Sequence, residues 1–291
     1  MPPKTGSYQT SLPYHKDALD YWLTRFPRLY LLVEQYREWE NWDKRVYLSF
    51  IQSGNTILDI GANVGAHTIA FSRLVGKEGT VLAFEPVPAN FDRLRETVRR
   101  RSRAANIRLF QLAVGDPGFP NEPALIKVPG DDFSQASLMA HSAESWEGEP
   151  DVRTFACAIT SLDAELAVNP VSRVDFIKID VEGGELNVLK GAVETLSKYR
   201  PLLYCEMYEK WTASFGYTSA DIFAFARSLG YSGARVIREG EVHAIQLGDR
   251  LPEGLFDKSS NVLFFAGKHH QSVARFDRRY DVKGADEPKH G

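Results

Sequence analysis

The 291-residue sequence predicts an α/β fold in which a mostly parallel sheet is covered by helices on both faces. Apolar runs of strand length alternate with segments of helical pattern, which is the sequence signature of a doubly wound sheet. Several of the runs end in an acidic residue. Hydrophobic residues make up 43% of the chain, which is enough for a large core.

The predicted elements follow one another regularly from residue 56 onward. We predict strands at 56–60, 79–86, 107–116, 174–180 and 201–207. We predict helices at 66–75, 90–103, 184–198 and 219–229. A hairpin about Glu239-Gly240 and a strand at 261–267 then complete the sheet at one edge with an antiparallel strand. We expect a sheet of about seven strands, mostly parallel.

Three segments fall outside this alternation. The extension 1–52 is rich in aromatic and charged residues and predicts two or three amphipathic helices, which could form a lid or a homodimer surface. The core domain 53–267 contains a long insertion, 117–170, with predicted strands at 124–128 and 152–159 and a helix capped by Thr160 or Ser161. The tail 268–291 is charged and poor in apolar residues, so we expect it to be frayed.

Composition excludes several classes of function. A net charge of -3 gives no general case for binding nucleic acid or an anionic membrane. The basic run at 95–103 follows a helical pattern and predicts a solvated helix face. Cys157 and Cys205 lie in apolar runs and predict reduced core thiols. Because the sequence has no apolar N-terminal segment and no apolar run of 18 residues, we expect a cytoplasmic protein without a membrane anchor.

Residues 57–65, ILDIGANVG, form the most informative motif. A buried strand ends just after Asp59, the chain turns sharply at Gly61, and Gly65 lets the backbone approach a ligand as a helix begins. A dinucleotide fingerprint would need a further glycine where Asn63 stands. A carboxylate in this position disfavours phosphate and suits a cationic ligand with an amino-acid tail. The motif therefore predicts S-adenosylmethionine; the bland alternative is an ordinary strand-to-helix turn.

Acidic residues at other strand ends extend this cofactor site, because ligands of open α/β sheets lie beyond the carboxyl ends of the strands. Glu85 can accept hydrogen bonds from both ribose hydroxyls; the alternative is that it caps the predicted helix 90–103. Asp116 can reach the adenine amino group, with Val114 against the ring, or can be a turn aspartate. Ser137 can cover the methionine tail or belong to a plain polar loop. The predicted cofactor-binding residues are Asp59, Gly61, Ala62, Asn63, Gly65, Thr68, Glu85, Pro86, Val114, Asp116, Ser137 and Asp180.

The segment 178–185, KIDVEGGE, predicts the reacting end of the site. Asp180 and Glu182 lie two apart as the fourth strand leaves the sheet, so either can hold a substrate hydroxyl, accept its proton or bind a divalent cation. Glu182 also suits a helix N-terminus, and His67 in the first helical turn is as much a structural candidate as a base. The predicted catalytic residues are Asp180, Glu182 and His67; if Mg²⁺ is present, its predicted ligands are Asp180, Glu182 and Glu206.

The combination resembles the FkbM family of S-adenosylmethionine-dependent methyltransferases. The matching segments are ILDIGANVGAHTIAF, AFEP, LAVGD, TSLD, DFIKIDVEGGELNVLKGA, P-x-L-x-x-E and NVLF, and they cover roughly residues 55–266. The resemblance implies a class I methyltransferase (Rossmann-like) fold with a sheet of seven strands. It also implies that Asp59, Gly61, Asn63 and Gly65 form the cofactor loop and Glu85 binds ribose, and that Asp180-Glu182-Gly183 form the motif after strand four. The N-terminal 50 residues match nothing in the family and leave the substrate open.

Members of that family typically methylate hydroxyls of sugars or natural products, so the first hypothesis is an O-methyltransferase acting on a small molecule. The alternatives are an amine or carboxylate acceptor, an RNA or protein target of the basic helix, and a non-catalytic module that binds the cofactor or a partner. A nicotinamide-dependent oxidoreductase ranks last because the glycine spacing is wrong.

Overall fold

The computed structural model describes residues 26, 28, 29, 32, 42–102, 105–116, 118, 123–141 and 151–284. The helices in this part of the chain, beside two short 3₁₀ turns, are α1 Trp42–Phe50, α2 Ala66–Val75, α3 Pro88–Arg101, α4 Leu162–Val168, α5 Glu185–Lys190, α6 Val193–Tyr199, α7 Glu209–Ser214, α8 Ser219–Ser228 and α9 His270–Tyr280. The strands are β1 Thr56–Ile60, β2 Thr80–Phe84, β3 Ile107–Phe110, β4 Ala113–Val114, β5 Ala124–Pro129, β6 Val152–Cys157, β7 Ile159–Thr160, β8 Phe176–Ile179, β9 Leu202–Met207, β10 Tyr231–Arg238, β11 Glu241–Gln246 and β12 Ser260–Ala266. No helix in these ranges is long and apolar enough to cross a membrane.

The main sheet has eight strands in the order β11-β10-β12-β9-β8-β1-β2-β3. Neighbours from β9 to β3 are parallel, whereas β12 runs antiparallel to both β9 and β10, and β11 runs antiparallel to β10. The predicted doubly wound class I methyltransferase fold is confirmed. The sheet has eight strands, one more than the number expected, because the five predicted strands, the two strands of the hairpin and the strand at 261–267 all join it. The hairpin turns at Glu239-Gly240 as predicted, with both residues at positive φ.

Apolar side chains on both faces of the sheet explain why its central strands read as nearly continuous hydrophobic runs. One core cluster includes Leu58, Ile177 and Phe264, and the other, on the opposite side, includes Ile57 and Phe176. Both cysteines are buried and free, as predicted. The basic run is carried by α3, where Arg95 and Asp92 pair on an exposed surface, as expected for a solvated helix face.

Two predicted elements outside the insertion are each broken in two, and the expected strand 152–159 of the insertion likewise divides into β6 and β7. The expected strand 107–116 divides into β3 in the main sheet and β4, which pairs with β7 instead. The expected helix 184–198 divides into α5 and α6 at Gly191, where an added Cβ would stand 2.0 Å from the Gly115 carbonyl oxygen. Both breaks follow from tertiary contacts, because the backbone near β4 approaches the α5–α6 junction.

Helices α1 and α9 pack against each other, contrary to the expectation of a frayed tail over 268–291. Helix α9 buries Val273 and Phe276, and the Phe276 ring lies 5.2 Å from that of Phe50 on α1. The Trp42 and Tyr280 rings meet edge to face at 5.5 Å. Of the predicted N-terminal helices, the structure describes α1; the other predictions for this region fall mainly on residues 1–25, 27, 30, 31 and 33–41, which lie outside the described residues.

The insertion forms a small unit of its own beside the sheet. Strands β5 and β6 pair antiparallel, near the predicted bounds, and bury Ile126 and Val128 against Val87. Helix α4 is capped by Ser161, whose hydroxyl accepts the Ala164 N–H at 3.1 Å. The charged segment 142–150 lies outside the described residues. This unit stands where the carboxyl ends of β1, β2 and β8 open to a pocket.

Candidate active site

A pocket lies beyond the carboxyl ends of the parallel strands, where the topology of the sheet predicts a ligand site. It encloses about 660 Å³ when its open mouth is included. Its walls come from the loops after β1, β2 and β8, from β4, and from the inserted unit. The lining residues are Ile60, Gly61, Asn63, Phe84, Glu85, Pro86, Asn90, Leu112, Ala113, Val114, Ile126, Phe133, Ser134, Ala136, Leu138, Asp180, Val181, Glu182 and Gly184.

The first loop, residues 61–65, is pressed against the backbone that follows β8. Gly61 has φ +81°, and a Cβ added there would stand 1.8 Å from the Asp180 carbonyl oxygen, so the position requires glycine. Asn63 also has positive φ, and its N–H donates to Glu85 Oε2 at 2.8 Å. The first loop is therefore held by the sheet and by the residue that follows β2.

Glu85 joins the first loop to the start of α3. Its carboxylate is 4% exposed and accepts the N–H groups of Asn63 and Val87 at 2.8 and 2.9 Å. Burial raises the pKa of Glu85 to about 7, although the two N–H donors act in the opposite direction. Glu85 therefore changes charge near neutral pH while facing the pocket.

A buried ion cluster connects the first loop to the second loop, residues 180–184. Lys178 lies between two aspartates, with Nζ 3.0 Å from Asp180 Oδ2 and 3.7 Å from Asp59 Oδ1, and it also donates to the Gly61 carbonyl at 3.2 Å. Burial alone would lower the pKa of Lys178, but the two carboxylates outweigh it and raise that pKa. Asp59 is fully buried and accepts the Thr68 hydroxyl at 2.6 Å, so it supports the first loop from below.

Three carboxyl groups meet at the start of the second loop. Asp180, Glu182 and Glu206 each offer an oxygen, and these oxygens lie within 4.8 Å of one another. Burial and repulsion by Asp180 raise the pKa of Glu182 to about 10 and that of Glu206 well above its usual range. Burial would also raise the pKa of Asp180, but attraction to Lys178 lowers it. Asp180 is therefore the ionised member of the cluster at neutral pH.

The second loop contains two consecutive residues at positive φ, Glu182 at +55° and Gly183 at +96°. The Glu182 carbonyl accepts Ser137 Oγ at 2.8 Å and His141 Nε2 at 2.9 Å, both from the inserted unit. On the other side of the peptide, the Gly183 N–H donates to Glu185 Oε1 at 3.0 Å. The conformation of the second loop thus depends on side chains outside it.

His67 lies beside this region but does not line the pocket. Its Nδ1 is 2.9 Å from the hydroxyl of Tyr47, a buried residue of α1. Burial and Lys178 lower the pKa of His67, so the imidazole is neutral at pH 7. Helix α1 therefore reaches the edge of the site through Tyr47.

Of the residues predicted from the sequence, seven line the pocket: Gly61, Asn63, Glu85, Pro86, Val114, Asp180 and Glu182. Eight others do not line it: Asp59, Ala62, Gly65, His67, Thr68, Asp116, Ser137 and Glu206. Asp59 and Thr68 bond to each other beneath the first loop. Asp116 accepts the Gly118 N–H at 2.8 Å, which is the turn alternative. Ser137 bonds to the Glu182 carbonyl instead of facing the pocket.

Sequence reasoning missed the apolar wall supplied by the inserted unit. Ile126, Phe133 and Leu138 line the pocket, and Asn90 donates to the Phe133 carbonyl at 2.8 Å. Ile126 lies in a segment that had been recognised as a strand, but no sequence pattern shows that the strand covers the pocket. His141, which contacts the Glu182 carbonyl, lies in no motif of the sequence that would mark it as a site residue.

The chain is similar to known methyltransferases. A domain model described as "Methyltransferase FkbM domain" matches residues 59–232. The hexuronic acid methyltransferase AglP of Haloferax volcanii is 30% identical over 152 residues, which are 52% of this chain and 56% of the relative. Methyltransferase sdnD of Sordaria araneosa is 24% identical over 169 residues, 50% of this chain and 62% of the relative. The match thus spans little more than half the length of these relatives.

Solved structures are similar at the level of the chain trace. A methyltransferase FkbM from Methylobacillus flagellatus has a TM-score of 0.43 at 16% identity, covering 85% of this chain and 59% of that one. A SAM-dependent methyltransferase from Aquifex aeolicus has a TM-score of 0.42 at 16% identity, covering 86% and 98%.

Proposed function

Because the chain belongs to the FkbM methyltransferase family, we propose that it transfers a methyl group from S-adenosylmethionine to a hydroxyl of a sugar-like or natural-product-like small molecule. The observation that carries the proposal is Glu85. Its buried carboxyl group lines the pocket at the end of β2, directly beside the tight turn at Gly61. That is the position from which an acidic residue binds ribose in nucleotide-binding α/β folds.

The residues of the pocket fit the cofactor. Glu85 would accept the ribose hydroxyls, and Val114 and Phe133 offer apolar contacts for adenine. A Cβ at Gly61 would collide with the Asp180 backbone, and this closeness brings the first and second loops together at one end of the pocket. Asp180 there is an ionised carboxylate, which suits a ligand with a sulfonium and an ammonium group.

The bound cofactor supplies an activated methyl group, so the chain has to orient the acceptor and manage its proton. Among the three predicted catalytic residues, Asp180 and His67 are unprotonated at neutral pH, whereas Glu182 carries a proton because its pKa is raised to about 10. Asp180 lines the pocket and His67 does not, which favours Asp180 as the group that accepts the acceptor's proton. Glu182 in its protonated form would donate a hydrogen bond to the acceptor.

Mg²⁺ is a further proposal for the same carboxyl groups. Asp180, Glu182 and Glu206 are oxygen ligands of the type that Mg²⁺ prefers. A cation there would have to displace the proton of Glu182 and compete with Lys178 for Asp180. Turnover that survives exhaustive treatment with EDTA would eliminate a required metal.

The similarity to a hexuronic acid methyltransferase supports a sugar-like acceptor. Amine and carboxylate acceptors remain as alternatives with the same cofactor site, and so does a non-catalytic module. Isotope-labelled methyl donor incubated with a panel of sugars and uronic acids, followed by mass analysis of the product, separates ethers, esters and amines. Release of S-adenosylhomocysteine with any acceptor excludes the non-catalytic module.

Calorimetric titration with S-adenosylmethionine tests the cofactor itself. We expect the wild type to bind and Glu85→Ala to bind at least about tenfold more weakly, because the variant loses charge-assisted hydrogen bonds worth roughly 1.5–3 kcal/mol. Asp59→Ala should also bind more weakly, through loss of support beneath the first loop. A wild type without affinity, or full affinity in both variants, would refute the proposal.

A further inference from the structure

The peptide bond between Glu182 and Gly183 is held in an unusual conformation. Glu182 is not a glycine, yet its φ is +55°, and Gly183 follows at +96°. A non-glycine residue in this region costs of order 1–3 kcal/mol and persists only where its surroundings hold it. The backbone conformation of the second loop at Glu182 and Gly183 therefore depends on the side chains that surround it.

The groups that hold this peptide come from both sides. Its carbonyl accepts hydrogen bonds from Ser137 and His141, and its N–H donates to Glu185. The hydroxyl of Tyr217 donates to the next carbonyl, that of Gly183. Glu185 belongs to the same motif as the loop, but Ser137 and His141 lie more than 40 residues earlier in the chain, in the inserted unit.

His141 is itself fixed in one orientation. It is 7% exposed, its ring is stacked 6.0 Å from the Trp211 ring, and its Nδ1 lies 3.0 Å from Ser214 Oγ. A carbonyl only accepts hydrogen bonds, so Nε2 must carry the proton that is donated to Glu182. In the neutral ring Nδ1 then accepts from Ser214. Burial lowers the pKa of His141 to about 4, so this neutral form is present at physiological pH.

Ser137 and His141 donate hydrogen bonds to the carbonyl of Glu182, which lies in the wall of the pocket. Asp180, Val181, Glu182 and Gly184 all line it. The inserted unit also supplies pocket residues close to the two donors in sequence, including Phe133 and Leu138. The same short segment therefore covers the pocket and sets the conformation of the loop opposite.

We propose that Ser137 and His141 are positioning residues of the methyltransferase site: by holding the Glu182 carbonyl they set the orientation of the Asp180 and Glu182 carboxyl groups toward cofactor and acceptor. The inference rests on the proposed function, because it assigns the inserted unit a role in a cofactor site. It goes beyond that function because neither residue touches the pocket and both act through the second loop.

The test is the affinity for S-adenosylhomocysteine, measured by calorimetry on the full chain, together with the melting temperature of each variant. His141→Leu removes the imidazole donor, and Ser137→Ala removes the hydroxyl donor. His141→Gln keeps an N–H donor near the place of Nε2. Ser72→Ala is the matched control, because it loses a buried hydroxyl hydrogen bond of 2.7 Å to Asn106 outside the pocket lining.

We expect His141→Leu to weaken binding about tenfold and Ser137→Ala about threefold, in line with hydrogen bonds of roughly 0.5–1.5 kcal/mol. His141→Gln should recover most of the loss, and Ser72→Ala should bind as the wild type does. The double variant should lose less than the product of the single losses, since both donors serve one oxygen.

The outcomes separate the two proposals. A wild type that does not bind S-adenosylhomocysteine refutes the proposed function. A wild type that binds, with His141→Leu and Ser137→Ala lowering the melting temperature but leaving affinity unchanged, refutes the positioning role alone. If His141→Leu does not fold, Ser137→Ala and His141→Gln decide. Weaker binding by Ser137→Ala together with near-wild-type binding by His141→Gln supports the positioning role. Wild-type affinity in both variants overturns it.

Discussion

The first and second loops leave neighbouring strands of one sheet and share a backbone device, yet they are held in different ways. Each contains a non-glycine residue at positive φ together with a glycine at positive φ: Asn63 lies two residues after Gly61 in the first, and Glu182 directly precedes Gly183 in the second. The first loop is held by the sheet, through Glu85 and through the N–H groups of Gly61 and Ala62, which donate to the Phe84 carbonyl. The second is held in part by the inserted unit.

This difference indicates which of the two loops is constrained by the fold and which can vary. The first loop is held by the Phe84 carbonyl of β2 and by the buried Glu85 that follows it, so changes at these positions also lower the stability of the fold. Part of what holds the second loop belongs to the inserted unit, whose apolar cluster is separate from the two large clusters of the sheet, and connecting segments of this kind tolerate changes in length and sequence better than the elements they join. The first loop is therefore fixed by the fold, and the second loop is the more adjustable of the two.

The largest expected effect comes from the residue that both loops share. Lys178→Met would leave the buried Asp59 carboxylate without its countercharge and remove the donor to Gly61, which should cost about 3–5 kcal/mol of unfolding free energy. Urea denaturation measures the loss. The double variant Asp59→Asn, Lys178→Met should recover much of it; a double variant as unstable as Lys178→Met would show that Asp59 is not the reason.

The next effect concerns the close approach of the two loops. In Gly61→Ala the added Cβ meets the Asp180 backbone and the residue is strained at φ +81°, so binding of S-adenosylhomocysteine should weaken by about 30- to 100-fold, or roughly 2–3 kcal/mol. Gly54→Ala is the matched control, with φ +82° and nothing within 4 Å of the added atom. Equal affinity in both variants would mean that the loops need not touch.

The smallest effect is a pH dependence that belongs to the first loop. Ribose hydroxyls donate to an ionised carboxylate, so below the pKa of Glu85, about 7, binding must first release a proton. Affinity for S-adenosylhomocysteine should therefore rise as pH increases, by about tenfold between pH 6 and pH 8. Glu85→Gln should remove this slope. An identical slope in that variant would assign the titration to another group.

The parts of the molecule that the sequence predicts well are those where one local signal determines the structure. Strand β1 and helix α2 were predicted at their exact bounds, because a buried run ends in the glycines of the first loop. Helix α9 was missed although Val273, Phe276 and Tyr280 lie at helical spacing, since its polar composition suggested a tail. The spacing of these apolar residues alone predicts an amphipathic helix at this position.

The candidate site was predictable only in part, for a physical reason. Residues at strand ends, such as Glu85 and Asp180, follow from the rule that ligands lie at that edge of the sheet. Asp59 also ends a strand, but its side chain points beneath the first loop to Thr68 and Lys178, and the sequence does not specify that direction. His141 reaches the site through a tertiary contact that leaves no local pattern.

The position of β12 constrains how the chain can fold during synthesis. The hairpin β10–β11 joins the main sheet only through β12, which is made later and lies between β9 and β10. Until residues 260–266 have left the ribosome, β9 and β10 each present an unpaired edge, the kind of surface that pairs with other chains. Without β12 those edges would stay open permanently, so β12 acts as the closing strand of the sheet.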